Sequence, residues 1–224
     1  MKNLSEQKYI AIGDIHGCAA TMKALIEKLQ PFYDRTFVFV GDYIDRGPDS
    51  RGVVDFLLDF RKKVDCVFLR GNHEQMMLDA LNGGDRQLWL MNGGKTTIRS
   101  YNGDGLQFDM PESHRQFYEA TKLYYDTKEY FFVHAGVSPN KTIEESLSSK
   151  EEMQAFLWVR SHLNAFEKPW EKTIVFGHTP RPQPIRQAKM IGIDTGCVYD
   201  RRGYRRLTAV KLPEEEFVEH PYMD

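Results

Sequence analysis

Residues 9–17 read Tyr-Ile-Ala-Ile-Gly-Asp-Ile-His-Gly, and residues 37–47 read Phe-Val-Phe-Val-Gly-Asp-Tyr-Ile-Asp-Arg-Gly. Each is a short apolar run that stops at a glycine and passes at once into acidic and basic side chains. Short apolar runs bounded by glycine read as β-strands, so Tyr9–Ile12 and Phe37–Val40 are predicted strands. Between them Met22, Leu25, Ile26 and Leu29 recur at helical spacing, and Pro31 follows the stretch. Val53, Val54, Leu57 and Leu58 make a second helical face, and Val64–Leu69 a third strand that ends before Gly71. Strand, helix, strand, helix, strand implies βαβ units and a largely parallel sheet, hence an α/β fold.

Beyond residue 120 the pattern changes. Tyr130–Val133 and Thr173–Phe176 are predicted strands. Ile191–Ile193 and Leu207–Leu212 look like two more, joined as a hairpin through Arg201, Arg202 and Gly203, and all four are expected in a second, mixed sheet. Residues 102–116, with Asn102, Gly103, Asp104, Gly105 and Pro111, read as a loop, as does the polar stretch 138–150. Ser149 and Glu152 have capping-box spacing ahead of a helix carrying Phe156 and Leu157. No repeat and no compositional break divides the chain, so one domain over 1–224 is expected.

Composition bounds the function. The 224 residues are 41% hydrophobic and 28% charged, with a formal net charge of −2. That is an ordinary globular balance and disfavours a partner bound by a strong positive field, so no nucleic acid is expected. Fourteen Phe and 11 Tyr exclude a disordered chain. Cys18, Cys66 and Cys197 have no Cys-x-x-Cys spacing and read as reduced thiols. No run approaches a membrane span and the first residues lack a signal-peptide core, so a cytoplasmic protein without a membrane partner is expected.

The chemistry sits where strands end. Gly13-Asp14-Ile15-His16-Gly17, Gly41-Asp42-Tyr43-Ile44-Asp45-Arg46-Gly47, Gly71-Asn72-His73-Glu74, His134-Ala135-Gly136 and Gly177-His178 each follow an apolar strand. In open α/β sheets, ligand sites form beyond the carboxyl ends of strands, so these loops can converge on one point. Asp, His and Asn without thiolate suit Mn²⁺, Fe or Zn²⁺ better than Ca²⁺ or an iron–sulfur cluster. Any one loop alone is an ordinary turn; the ordered set is the signal.

That ordered set resembles the phosphoprotein phosphatase family within the calcineurin-like metallophosphoesterases, over about residues 9–210. The compact length and the Trp89–Tyr101 segment with Asn92-Gly93-Gly94 resemble its bacterial and phage branch, which includes serine/threonine protein phosphatases and symmetrical diadenosine tetraphosphatases. The resemblance implies two mixed β-sheets packed as a sandwich flanked by helices. It implies two divalent metal ions, Mn first with Fe or Zn as alternatives. Asp14 and His16 would bind the first metal, Asp42 would bridge, and Asn72, His134 and His178 would complete the second. His73 would be the general acid and Asp45 its orienting carboxylate. Arg46 would bind phosphate, and Arg160, in Leu157-Trp158-Val159-Arg160, is the candidate for a second phosphate-binding arginine.

Such a site needs these residue types. Two metals about 3.5–4 Å apart can hold a bridging hydroxide for in-line attack on phosphorus. Arginine forks match phosphate oxygens, and a protonated histidine can serve an alkoxide leaving group. The leading expectation is therefore hydrolysis of phosphomonoesters, foremost phosphoserine and phosphothreonine in proteins. The alternative is a symmetrical diadenosine tetraphosphate hydrolase, with a phosphodiesterase behind it. A non-catalytic scaffold would show a broken ligand set, and this one is intact. Trp89, Tyr101 and Phe108 are candidate base platforms.

Plainer readings apply elsewhere. Glu74 reads as a helix N-terminal acid, Cys18 as a small buried residue at a helix start, Cys66 as core and Cys197 as structural. Gly93-Gly94-Lys95-Thr96 is not a P-loop, because Trp89 occupies the position that requires glycine. His114, His162 and His220 are expected at the surface and Trp158 as a buried wall. Asp194 and Thr195 match a family segment without an assigned role. Arg201, Arg202, Arg205 and Arg206 read as a solvated turn and Glu214–Glu216 as a solvated acidic end.

Overall fold

Tyr9–Ile12 forms β1, Thr36–Phe39 β2 and Cys66–Phe68 β3, paired in parallel as β1–β2–β3. Helices α1 (Ala19–Lys28) and α2 (Ser50–Phe60) make the two crossovers, and Asp49 caps α2 by accepting from Gly52 N–H at 2.8 Å. Then come α3 (Asn72–Leu81), α4 (Arg86–Trp89), α5 (Lys95–Ser100) and α6 (Glu112–Glu119). The second half contributes β4 (Tyr124–Asp126), β5 (Tyr130–Val133), α7 (Ile143–Ser146), α8 (Lys150–Ala155), β6 (Thr173–Phe176), β7 (Ile185–Gln187), β8 (Met190–Gly192), β9 (Arg206–Leu212) and β10 (Glu216–Pro221). This computed structural model describes residues 7–104 and 108–224; Gly105 of the predicted 102–116 loop lies outside them.

Among the described residues two five-stranded mixed sheets form, in the orders β10-β9-β1-β2-β3 and β4-β5-β6-β8-β7. The central strands β1, β2, β5 and β6 are apolar without alternation because both of their faces are covered. Tyr9 and Ala11, Val38 and Val40, Tyr130 and Phe132, and Val175 pack between the sheets. Their neighbours Ile10, Ile12, Phe37 and Phe39 face the first layer of helices, while Phe131, Val133, Ile174 and Phe176 face Phe156 and Trp170 on the other side.

One sequence expectation fails here. Ile191–Ile193 and Leu207–Leu212 are not a hairpin: β8 pairs with β6 in the second sheet, and β9 pairs antiparallel with β1 in the first. The segment between them crosses from sheet to sheet. Hydrophobic pattern identifies a strand but not its partner, and both sheets bury equally apolar strands. The acidic end is also structured. Glu216–Pro221 is an edge strand, and Glu214 accepts a bidentate pair from Arg35 at 2.6 and 2.7 Å. Part of the expected 102–116 loop is helix α6, and α7 interrupts the polar stretch 138–150.

Candidate metal centre

The five loops do converge, each leaving the carboxyl end of a parallel strand. Their backbone is unusual. His16 (φ 47°), Asp42 (52°), Asp45 (70°), Arg46 (68°) and His178 (64°) all adopt left-handed conformations that cost non-glycine residues energy. Glycines let the loops touch. A Cβ on Gly71 would lie 2.0 Å from Asp42 Oδ1, and one on Gly177 would lie 1.9 Å from Asp14 Oδ1.

Asp42 lies at the centre. Its Oδ2 is 3.5 Å from His16 Nε2, and its Oδ1 is 3.5 Å from His134 Nε2. The two oxygens of one carboxylate thus face two separate donor groups. His16 Nδ1 donates to Ile44 O at 2.8 Å and His134 Nδ1 to Val40 O at 2.9 Å, which leaves both Nε2 lone pairs aimed inward. Asn72 Oδ1 is 3.0 Å from His134 Nε2 and 2.9 Å from His178 Nδ1, and these two nitrogens are 3.2 Å apart. Donor atoms of Asp42, His134 and His178 lie within 4.8 Å of one another, as do those of His16, Asp42 and His73.

The electrostatics fit a cation pair. Burial holds the His134 and His16 imidazoles below their ordinary range, and burial with His134 takes His178 down to about 2. The ring nitrogens of His134 and His178 and the amide oxygen of Asn72 converge within 3.2 Å of one another, an arrangement that a divalent cation satisfies. Burial, then Asp194 and Asp42, push Asp14 well up. Asp42 is held low: burial opposes its ionisation, but the surrounding His134, His73, His16 and His178 rings outweigh it. Asp14 accepts from His178 N–H at 2.9 Å, beside the cluster rather than inside its tightest group. The donor chemistry, nitrogen and hard oxygen without sulfur, suits Mn²⁺, Fe or Zn²⁺.

His73 stands next to this cluster. Its Nδ1 is 2.6 Å from Asp45 Oδ2, and its Nε2 is 3.9 Å from Asp42 Oδ2. Burial opposes protonation of the ring, yet Asp42 and Asp45 together raise it above the ordinary imidazole range. Arg46 Nη1 donates to His16 Nε2 at 2.7 Å, and its guanidinium lies 5.5 Å from the Tyr199 ring centre. Arg160 is exposed, and its charge helps depress His134 and His178.

Glu74, read as a helix-start acid, does more than cap α3. Its fully buried carboxylate accepts from the N–H groups of Gly71 (2.9 Å), Asp42 (2.8 Å) and Tyr43 (2.8 Å), pinning the Asp42 loop to α3. Burial and Asp42 push its carboxyl up to about 8. Asp194 lies at the end of β8, buried near Asp14, and burial pushes it up to about 7. A strand-end acid was the signal for it, weaker than the others because no histidine accompanies it.

Several expectations are corrected. Trp89 and Tyr101 are no base platforms: both are buried and pack against Phe108 at 5.9 Å. His114 is buried between Tyr101 and Asp55, and His162 is fully buried. Trp158 is 44% exposed, its ring 6.4 Å from that of His178. Cys18 is buried as expected and Cys197 is buried too, whereas Cys66, expected in the core, is only half-buried at its edge.

Comparison with known proteins agrees with this geometry. The calcineurin-like phosphoesterase family model matches residues 8–209. A bis(5'-nucleosyl)-tetraphosphatase PrpE [asymmetrical] of Bacillus velezensis is 33% identical over 94% of this chain and 91% of its own length. That of Oceanobacillus iheyensis is 30% identical over 92% and 89%. A crystal structure provisionally assigned as a diadenosine tetraphosphatase superposes with a TM-score of 0.70 at 23% identity, covering 97% of this chain and 95% of that one. A cold-active protein tyrosine phosphatase of a Shewanella species superposes at 0.65, with 17% identity and coverage of 96% and 78%. With a family match across nearly its whole length and the donor set of a dinuclear metal centre, the chain belongs to the calcineurin-like phosphoesterases, a family of dinuclear metal-dependent hydrolases.

Proposed function

We propose that this chain hydrolyses dinucleoside polyphosphates of the bis(5'-nucleosyl)-tetraphosphate type, cutting the phosphate chain asymmetrically. The observation carrying this reading is relatedness at 30–33% identity across nearly the full length of proteins that bear that name. It favours the tetraphosphatase alternative over phosphoprotein hydrolysis, with the cut asymmetrical rather than symmetrical.

In this proposal Asp14 and His16 would hold one divalent ion, Asn72, His134 and His178 would hold the other, and the Asp42 carboxylate would serve both. The two ions, when bound, polarise the phosphate and acidify the attacking water. Arg46 and Arg160 grip the phosphate oxygens and offset charge that grows in the transition state. Asp45 accepts from His73 Nδ1–H and favours the doubly protonated ring, so that Nε2–H faces the site and gives its proton to the departing oxygen, leaving the neutral ring.

A second reading keeps one specific support. The 2.6 Å Asp45–His73 pair is most useful where the leaving group is a basic alkoxide, as in a phosphomonoester, because a nucleotide phosphate leaves more easily. Initial rates on diadenosine tetraphosphate and on a phosphoserine peptide separate the two. The expected result is a higher kcat/KM on the dinucleotide, with ATP and AMP as products. Two ADP would mean symmetrical cleavage, and a preference for the peptide would overturn the proposal.

A further inference from the structure

The Asp45 carboxylate is fully buried and every face of it is engaged. Oδ2 meets His73 Nδ1 at 2.6 Å. Oδ1 accepts from the Thr97 hydroxyl at 2.6 Å, and Trp89 Nε1–H reaches both oxygens at 3.0 Å. Thr97 Oγ1 also accepts the Asp45 N–H at 2.9 Å and lies 3.0 Å from Ser50 Oγ. A hydroxyl has one proton, and Thr97 aims its own at the carboxylate, so Ser50 is the donor in that pair. Backbone and side chain of Asp45 are thus both fixed by Thr97, at a residue whose left-handed φ of 70° needs such support.

Trp89 and Thr97 come from one segment folded over the loop that carries Asp45 and Arg46. Trp89 ends α4, Thr97 lies on α5, and a five-residue π turn, Leu90–Gly94, joins them. Two glycines make the fit. A Cβ on Gly94 would lie 2.6 Å from the Trp89 indole, and one on Gly93 (φ 109°) would lie 2.8 Å from Arg46 Cγ. The Gly93 carbonyl accepts the Arg46 N–H at 3.4 Å.

We propose that Trp89 and Thr97 are positioning residues that lock the Asp45 carboxylate onto His73. Neither reaches the metal-ligand cluster; they act through Asp45. Without them the carboxylate is free to turn about its Cβ–Cγ bond, and His73 loses its fixed orientation. The inference rests on the reading of His73 as proton donor. A misplacement of about 1 Å in such a group costs on the order of a hundredfold in rate.

The test compares Thr97→Val, Thr97→Ser and Trp89→Phe with Asp45→Asn. One readout is the proton resonance of the His73 Nδ1–H in the Zn²⁺-loaded protein, identified by its absence in His73→Asn. The other is kcat and KM of the Mn²⁺-loaded protein on a phosphoserine peptide and on p-nitrophenyl phosphate. Expected for Thr97→Val and Trp89→Phe is an upfield shift or loss of the resonance. With it kcat falls about 10–100-fold on the poor leaving group, KM stays within about twofold, and the aryl ester is little affected. Thr97→Ser, which keeps the hydroxyl, restores both. A wild-type resonance in Thr97→Val and Trp89→Phe overturns the proposal, whatever the kinetics. If Asp45→Asn slows both substrates equally while the Thr97 and Trp89 variants still move the resonance, the proton-donor reading fails and the positioning contact stands.

Discussion

His162 supplies a stability switch whose size follows from its surroundings. The ring is 0% exposed, and both of its nitrogens lack a hydrogen-bond partner among the described residues. It packs edge-on against Phe176 at 4.6 Å and under the Gly136 backbone. Burial alone brings its pKa down from 6.5 to about 4. The folded protein therefore prefers the neutral ring, while the unfolded chain takes up a proton near pH 6.5. Its contribution is complete above that pH and is lost as the pH falls toward 4. Linkage gives about 2 kcal/mol lost between pH 8 and pH 5, and about 3 kcal/mol by pH 4. For a chain of this length, 2 kcal/mol is about 4–8 °C in Tm. His162→Phe keeps an aromatic ring and removes the titration. Denaturant unfolding of both proteins at pH 8, 7, 6 and 5, at fixed free metal, isolates the effect, because the buried metal-site histidines are common to both. The variant should gain about 2 kcal/mol on wild type between pH 8 and pH 5, whatever packing offset it shows at pH 8. A flat difference across that range would refute the reasoning, because it would mean that the folded protein carries the protonated ring at no cost.

Three further outcomes are expected. Asp42→Asn removes the charge that both donor groups share, so bound metal, measured by elemental analysis after dialysis, should drop below two per chain and activity by more than about a hundredfold. Glu74→Gln puts an amide N–H₂ against the N–H donors of Gly71, Asp42 and Tyr43; with one buried donor left unpaired, stability should fall by about 1–3 kcal/mol in chemical denaturation, and an unchanged midpoint would remove Glu74 as the pin of that loop. Gly177→Ala drives a methyl to 1.9 Å from Asp14 Oδ1, so metal affinity measured by calorimetry should weaken about 10–100-fold while the circular dichroism spectrum is retained.

What the sequence made legible, and what it hid, follows from how local each signal is. The ligand loops were readable because each is a few residues long and sits at a strand end, where topology alone brings them together. The order of the strands was not: β9 is buried along most of its length, as β6 is, and only its antiparallel pairing with β1 places it in the first sheet. Histidines gave the same lesson in reverse. His162 and His114 lie outside every motif and so look like surface residues, yet both are buried, because the fold closes around them through contacts distant in sequence. Trp89 shows why such residues escape reading. An indole near a candidate site suggests a stacking surface, and its N–H is silent until the chain has folded. Asp45 and Trp89 are 44 positions apart, and no local pattern couples them. The hydrogen bond that holds the Asp45 carboxylate is made by tertiary structure, whereas the carboxylate itself is written into a loop. Candidate site residues written into strand-end loops are therefore recoverable from sequence, and the distant side chains that hold them in place are recoverable only from the fold.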